Sequence, residues 1–131
     1  ARHYHASAQK SKSTADYQEA VRWYRSWLES FPTDPDAATN NFLLAELLYE
    51  DARHAEAVTE YEKTAYQYPP HAKSADAGYA ALLGHAQLEK KAAAAERPAL
   101  QRAAVASALQ FAKAFDGDPR VGPVLSNAAE K

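Results

Sequence analysis

The sequence predicts an all-α protein, an α-solenoid of repeated helical pairs. Three observations carry that expectation. Residues 16–32 (DYQEAVRWYRSWLESFP) and 53–69 (RHAEAVTEYEKTAYQYP) align without a gap at an offset of 37, sharing Glu19/Glu56, Ala20/Ala57, Val21/Val58, Tyr24/Tyr61 and Pro32/Pro69. A weaker third copy, Ala104, Val105, Ala108 and Phe115, stands 47 residues beyond the second. Apolar residues recur at the helical period, and no segment alternates as a strand does. A unit repeated at this spacing buries its apolar face only against neighbouring copies, which makes a solenoid; a coiled coil would show sustained heptads.

Residues 2–10 carry Tyr4 and Ala8 at helical spacing, and 11–15 (SKSTA) predict a polar loop. Asp16 followed by Glu19 predicts a capping box. The helix it opens puts Tyr17, Ala20, Val21, Tyr24, Leu28 and Phe31 on one face, which Trp27 widens. Pro32 ends it, because the residue before a proline disfavours helical geometry. Asp34 and Pro35 predict the next start, an N-cap carboxylate and then proline at the first helical position. That helix runs to about Asp51 with Ala38, Asn41, Leu44, Ala45 and Leu48 inward. After a turn at Ala52 and Arg53 the first face returns as His54, Ala57, Val58, Tyr61, Ala65 and Tyr68, closed by Pro69 and Pro70. Residues 72–95 are helical for lack of breakers, with Tyr79, Leu82, Leu83 and Leu88 their larger apolar residues. Pro98 opens the next helix, which ends at Phe115 in a C-cap turn at Asp116 and Gly117. The longer second offset falls around 90–97 (KKAAAAER), whose composition predicts lengthened helices rather than a floppy loop. Asp118 and Pro119 repeat the start signal for a short terminal helix over 120–131.

A chain of 131 residues is one domain, 1–131, able to bury roughly two-thirds of its unfolded surface. The units fall at about 1–34, 35–71 and 72–118, with the terminal helix at 119–131. The net charge of −2 leaves no electrostatic footprint for nucleic acid. No apolar run approaches the roughly 18 residues that span a bilayer, so no membrane insertion by this segment is expected. No cysteine means no disulfide framework and no thiolate metal site. No signal-peptide pattern is visible, and a chain starting with Ala rather than Met suits a processed or excised piece.

The repeat resembles the tetratricopeptide motif over nearly the whole chain. That motif sets a small residue on the first helix, then an aromatic, a small residue, an aromatic and a closing Pro on the second. The first unit supplies Ala8, Tyr17, Ala20, Tyr24 and Pro32, and the second supplies Ala45, His54, Ala57, Tyr61 and Pro69. The third keeps Ala104 but has Ala108 for the aromatic and Asp116 for the Pro. The resemblance implies a right-handed solenoid of about three helical hairpins plus a terminal helix. The 37-residue spacing and the Phe-Pro and Tyr-Pro helix ends are similar to bacterial cell-envelope members of the family.

In that family the first helices of successive pairs line a concave groove. Carried over, this puts His5, Gln9 and Lys12, then Phe42, Glu46 and Tyr49, then Tyr79, Leu83 and Ala86 in the groove, with Glu50 and Asp76 at its edge. The mixture of aromatics and carboxylates suits a peptide or helix with apolar anchors and some positive charge. Alternatively, Phe42 and Tyr79 pack between repeats and the carboxylates form a solvated face. The family's clamp for a C-terminal carboxylate is not expected, because His5, Gln9 and Leu43 stand at its first three positions. Trp23 or Trp27 must lie beside the packed face, either as a contact surface or as packing between repeats.

Chemistry is not expected. His3 and His5 face different ways on a helix, and His54, His71 and His85 lack partners at ligand spacing, so neither metal nor cofactor is predicted. Asp116 to Asp118 lacks the later ligands of a calcium loop, and no nucleophile elbow surrounds any Ser. Glu29, Glu46, Glu50 and Glu62 are expected to be exposed, and Lys90, Lys91, Arg97 and Arg102 to form a solvated face. The expectation is a non-enzymatic scaffold in a periplasmic or cell-envelope assembly that binds a protein or peptide partner. The alternatives are a cytoplasmic setting, a homo-oligomeric module stacking through its terminal helices, or a regulatory domain of a larger protein.

Overall fold

The computed structural model describes residues 2–129, with side chains from His3 onward. Among them stand seven helices and no strand, as the sequence predicts: α1 (Arg2–Ser11), α2 (Thr14–Ser30), α3 (Ala37–Glu50), α4 (His54–Tyr66), α5 (Ser74–Lys91), α6 (Arg97–Ala114) and α7 (Val121–Ala129). Each helix packs chiefly on its neighbours in the chain. Helix α2 buries Tyr17, Ala20, Val21 and Tyr24, and α4 buries His54, Ala57, Val58, Tyr61 and Ala65, both on the predicted stripe. Helix α3 packs on α2 and on α4 and so buries more of its circumference, adding Ala37 and Leu47 to the expected five. One apolar cluster runs from Ala8 to Ala81 across α1–α5. A smaller one joins Ala108, Phe111 and Val124, and Phe115 packs against both.

Short turns lead into three of these helices in the same way. The Asp34 carboxylate accepts the Asp36 amide at 2.8 Å, and the Asp34 carbonyl accepts the Ala37 amide at 2.9 Å. Asp118 does the same for Arg120 (2.8 Å) and Val121 (3.1 Å). His71 repeats the turn with imidazole in place of carboxylate: Nδ1 accepts the Lys73 amide at 3.2 Å and the carbonyl accepts Ser74 at 3.1 Å. Positions 34, 71 and 118 keep the sequence offsets of 37 and 47. Asp34, expected to be the N-cap, is instead the first residue of an Asx turn that delays the helix to Ala37. Asp118 likewise delays α7 to Val121, and residues 130 and 131 of the expected terminal helix lie outside the described residues.

Other local expectations are corrected. The polar loop shrinks to Lys12 and Ser13, because Lys12 adopts φ 58° and returns its amide to the Ala8 carbonyl at 2.8 Å. The capping box does not form: Ser13 is the N-cap, and the Asp16 carboxylate accepts the Ser11 hydroxyl at 2.6 Å. Phe31 is 52% exposed rather than inward, because the helix stops at Ser30 and the ring swings onto Trp27. Gly117 is not left-handed; the turn there closes with the Asp118 amide on the Phe115 carbonyl at 2.9 Å. The third pair is lengthened, with 18 residues in each helix against 14 and 13 in the second pair, but 92–96 form a link and α5 ends at Lys91. Glycine lets α5 come close to α4: a Cβ on Gly84 of α5 would lie 2.5 Å from Val58 Cγ2 of α4.

Candidate functional site

Side-chain contacts sort the helices into two sides. On one, Gln9 of α1 donates to Glu50 of α3 at 3.1 Å. Lys73, at the head of α5, stands 5.8 Å over the Phe42 ring of α3. Arg120, at the head of α7, donates to Asp76 of α5 at 3.3 Å and lies 4.9 Å over the Tyr79 ring. On the other, Arg25 of α2 reaches Glu60 (3.2 Å) and Glu56 (3.3 Å) of α4, and Ser107 of α6 donates to Glu62 of α4 at 2.7 Å. The predicted groove residues other than Lys12 all belong to the odd-numbered helices, and they fall into two groups.

His5, Gln9, Phe42, Glu46, Tyr49 and Glu50 gather around the buried rings of Tyr24 and Tyr61. His5 is buried, with Nδ1 3.0 Å from the Tyr24 hydroxyl and Nε2 3.8 Å from Glu50. Burial lowers its pKa, against the pull of Glu50 and Glu46. Glu46 accepts the Tyr61 hydroxyl, and burial followed by that bond pushes the phenol above its ordinary range. Phe42 and Tyr49 set their edges to Tyr61, with centroids 5.9 and 6.4 Å away, so both half-buried rings pack within the array. Gln9 and Glu50 are left as an exposed polar rim, and Lys12 lies past the end of α1 at φ 58°.

Tyr79 and Leu83, with Ala86, line a separate cleft of about 420 Å³ between α5, α6 and α7. Leu82, Ala104, Ala108, Val124 and Ala128 form most of the rest, and Arg120 and Asn127 lie on its wall. Leu83 is 46% exposed. Asp76 stands outside the cleft and helps hold Arg120, which Asp118 grips through both oxygens at 2.9 and 2.8 Å. Those bonds from Arg120 bring the Asp118 carboxyl down to about 2. Sequence reasoning missed Leu82, Val124 and Arg120. The offset of 37 held the signal: Glu46 becomes Leu83 and Tyr49 becomes Ala86.

Glu46 and Glu62 are not the exposed residues expected of them. Glu62 is half-buried and accepts both Ser107 Oγ and His85 Nε2, at 2.7 and 3.2 Å. Burial opposes its ionisation, yet these two bonds and the imidazole hold its carboxyl below the usual range. This trio differs from a nucleophilic triad. There the imidazole stands between acid and serine; here the acid stands in the middle, and the buried His85 Nδ1 has no hydrogen-bond partner. The trio therefore ties α4, α5 and α6 together. Trp23 is 45% exposed and stacks on Tyr4 at 5.4 Å, while Trp27 is half-buried against Phe31. Among the described residues no group of three His, Cys, Asp or Glu could hold a metal, and no helix is long and apolar enough to cross a membrane. Comparison with protein-family models, curated proteins and solved structures gave no match to this chain.

Proposed function

We propose that the chain is a non-enzymatic, tetratricopeptide-like α-solenoid, a scaffold that receives a peptide or helix of a partner protein on its odd-helix side. Recurrence of one lead-in turn at 34, 71 and 118, and contacts that pass from odd helix to odd helix and from even to even, support the solenoid reading. The observation that carries the binding role is the apolar cleft on that side, with Leu83 exposed and Tyr79 half-buried in its wall. An apolar concavity with a few polar groups is the usual form of a recognition site. The helix ends and the 37-residue spacing support a cell-envelope setting.

Peptides selected from a displayed random library against the domain test this reading. Bound peptide should shift amide resonances of α3 and α5. A Phe42→Ala/Tyr79→Ala variant with unchanged helical circular dichroism should lose it. Undiminished capture by that variant, or shifts confined to α2, α4 and α6, would sink the proposal.

A further inference from the structure

The cleft between α5, α6 and α7 lies where the repeat has lost a side chain of its own. In the second unit Tyr61 crosses from α4 to α3, packs against Phe42 and Tyr49, and buries its hydroxyl on Glu46. In the first unit Tyr24 crosses from α2 to α1 and meets His5. Both rings are buried, at 3% and 0% exposure. In the third unit the offsets of 37 and 47 replace Phe42, Glu46, Tyr49 and Tyr61 by Tyr79, Leu83, Ala86 and Ala108. Those four residues line the cleft together. One tyrosine ring is absent at Ala108 and another at Ala86. The large residue of α6, Phe111, sits one turn on, where its ring meets Tyr79 at 6.2 Å and Phe115 at 5.4 Å; it is not part of the cleft wall and leaves the space beside Ala108 and Ala86 open.

The chemistry of the replacements narrows the occupant. Tyr61 needs Glu46, because a buried phenol hydroxyl must find a partner. At the corresponding place the cleft offers Leu83, and Ala108 and Ala86 add only methyl groups. Arg120 cannot take the part of Glu46, because a guanidinium has no acceptor, and three of its N–H groups already bond Asp118 and Asp76. A hydroxyl set against Leu83, Ala86 and Ala108 would be desolvated without the acceptor that Glu46 gives Tyr61, whereas a phenyl ring would restore the packing that the other two units make internally.

We propose that the cleft receives a phenylalanine side chain of the partner segment, which takes the place that Tyr24 and Tyr61 fill in their own units. The inference rests on the scaffold reading and specifies its anchor. Toluene and p-cresol are the probes for the two ring chemistries, followed by methyl NMR of the isolated domain. Toluene should shift the methyl signals of Leu82, Leu83, Ala104, Ala108 and Val124 in a saturable way. Its dissociation constant should be about tenfold below that of p-cresol, equivalent to about 1.4 kcal/mol. Ala108→Phe, which fills the space from within, should abolish the shifts and keep the helical dichroism. If that variant does not fold, Ala86→Trp, on an exposed position of the rim, should block toluene in the same way.

No toluene shifts, unchanged shifts in the filled variant, or p-cresol bound as tightly as toluene would each overturn the anchor. A selected peptide that binds α3 and α5 but leaves the cleft methyls unmoved would overturn the anchor alone and leave the scaffold standing. Toluene binding without any peptide binding would overturn the scaffold reading and the partner's phenylalanine with it, and leave the cleft a site for a free aromatic ring.

Discussion

Two residues occupy backbone that their side chains resist. Lys12 and Ala52 stand at φ 58° and 60°, both at the C-terminal end of a helix. Around Ala52 the Arg53 amide returns to the Leu48 carbonyl at 2.8 Å, the six-to-one bond of a Schellman end whose corner glycine usually fills. An L-residue with a Cβ gives up about 1–2 kcal/mol in this region. Ala52→Gly should therefore stabilise the domain by about 0.5–1 kcal/mol once the freer unfolded chain is counted, measured as the shift in urea midpoint at constant slope. A loss of stability would mean that the corner is not left-handed in solution.

Buried imidazoles set the acid response. Burial lowers the pKa of His5, and burial followed by the nearby Lys91 charge lowers that of His54, each from 6.5. A group whose folded pKa is depressed binds fewer protons folded than unfolded, so stability falls as pH drops below the unfolded value. The melting temperature should decline as the pH falls from about 7 to about 5.5. A His5→Gln/His54→Gln variant should be flat across that window. Glu62 and Glu56, both held below the usual carboxylate range, add a second loss only below about 4.5. An unchanged slope in the double variant would exclude the histidines as its source.

At the scale of elements, glycines shape the seam between α4 and α5. Gly84 and Gly78 let the helices meet there, with Val58 against the first and Tyr66 against the second. Burial keeps the Tyr66 phenol protonated, with a pKa pushed up to about 12. Gly84→Ala should cost about 1–3 kcal/mol, because overpacking outweighs the gain in helix propensity. A compensating Val58→Ala in the same chain should recover part of that. Equal stability of wild type and Gly84→Ala would show that the seam has room. Next to the seam, the bonds of Glu62 to His85 and Ser107 fix the third pair against the second.

At the scale of the whole molecule, each helix packs chiefly on its neighbours in sequence, so protection should depend on how many sides are covered. Helices α2 to α6 are each flanked on both sides, but α3, α4 and α5 lie between helices that are themselves so flanked, and α3 carries the fully buried Leu44, Leu47 and Leu48. Helix α7 buries only Val124 and carries Gly122 and Pro123 inside its span. Native-state hydrogen exchange should be slowest in α3–α5 and fastest in α7, by at least about 2 kcal/mol of opening free energy. Uniform protection along the chain would mean a single cooperative core instead of an array.

The sequence by itself determined the helices, their order and the repeat. Tyr24, Tyr61, Ala20 and Ala57 lie where their 3.6-residue periodicity puts them, because that periodicity is set by local geometry and survives any tertiary arrangement. Helix ends were less legible. Whether Asp34 caps a helix or closes an Asx turn depends on which amide its carboxylate reaches, and the sequence signal is the same for both. The candidate site was legible only in part. Composition made Glu62 look exposed, but α5 and α6 bring His85 and Ser107 to it. The offsets named Phe42 and Tyr79 as equivalents. Tertiary packing then closed Tyr61 over the first, whereas Phe111 reaches the second from one turn further along α6 and the small Ala108 leaves a cleft beside it. Which repeated position becomes core and which becomes a cavity turns on the size of the residue facing it from the next helix, and only the folded chain brings the two together.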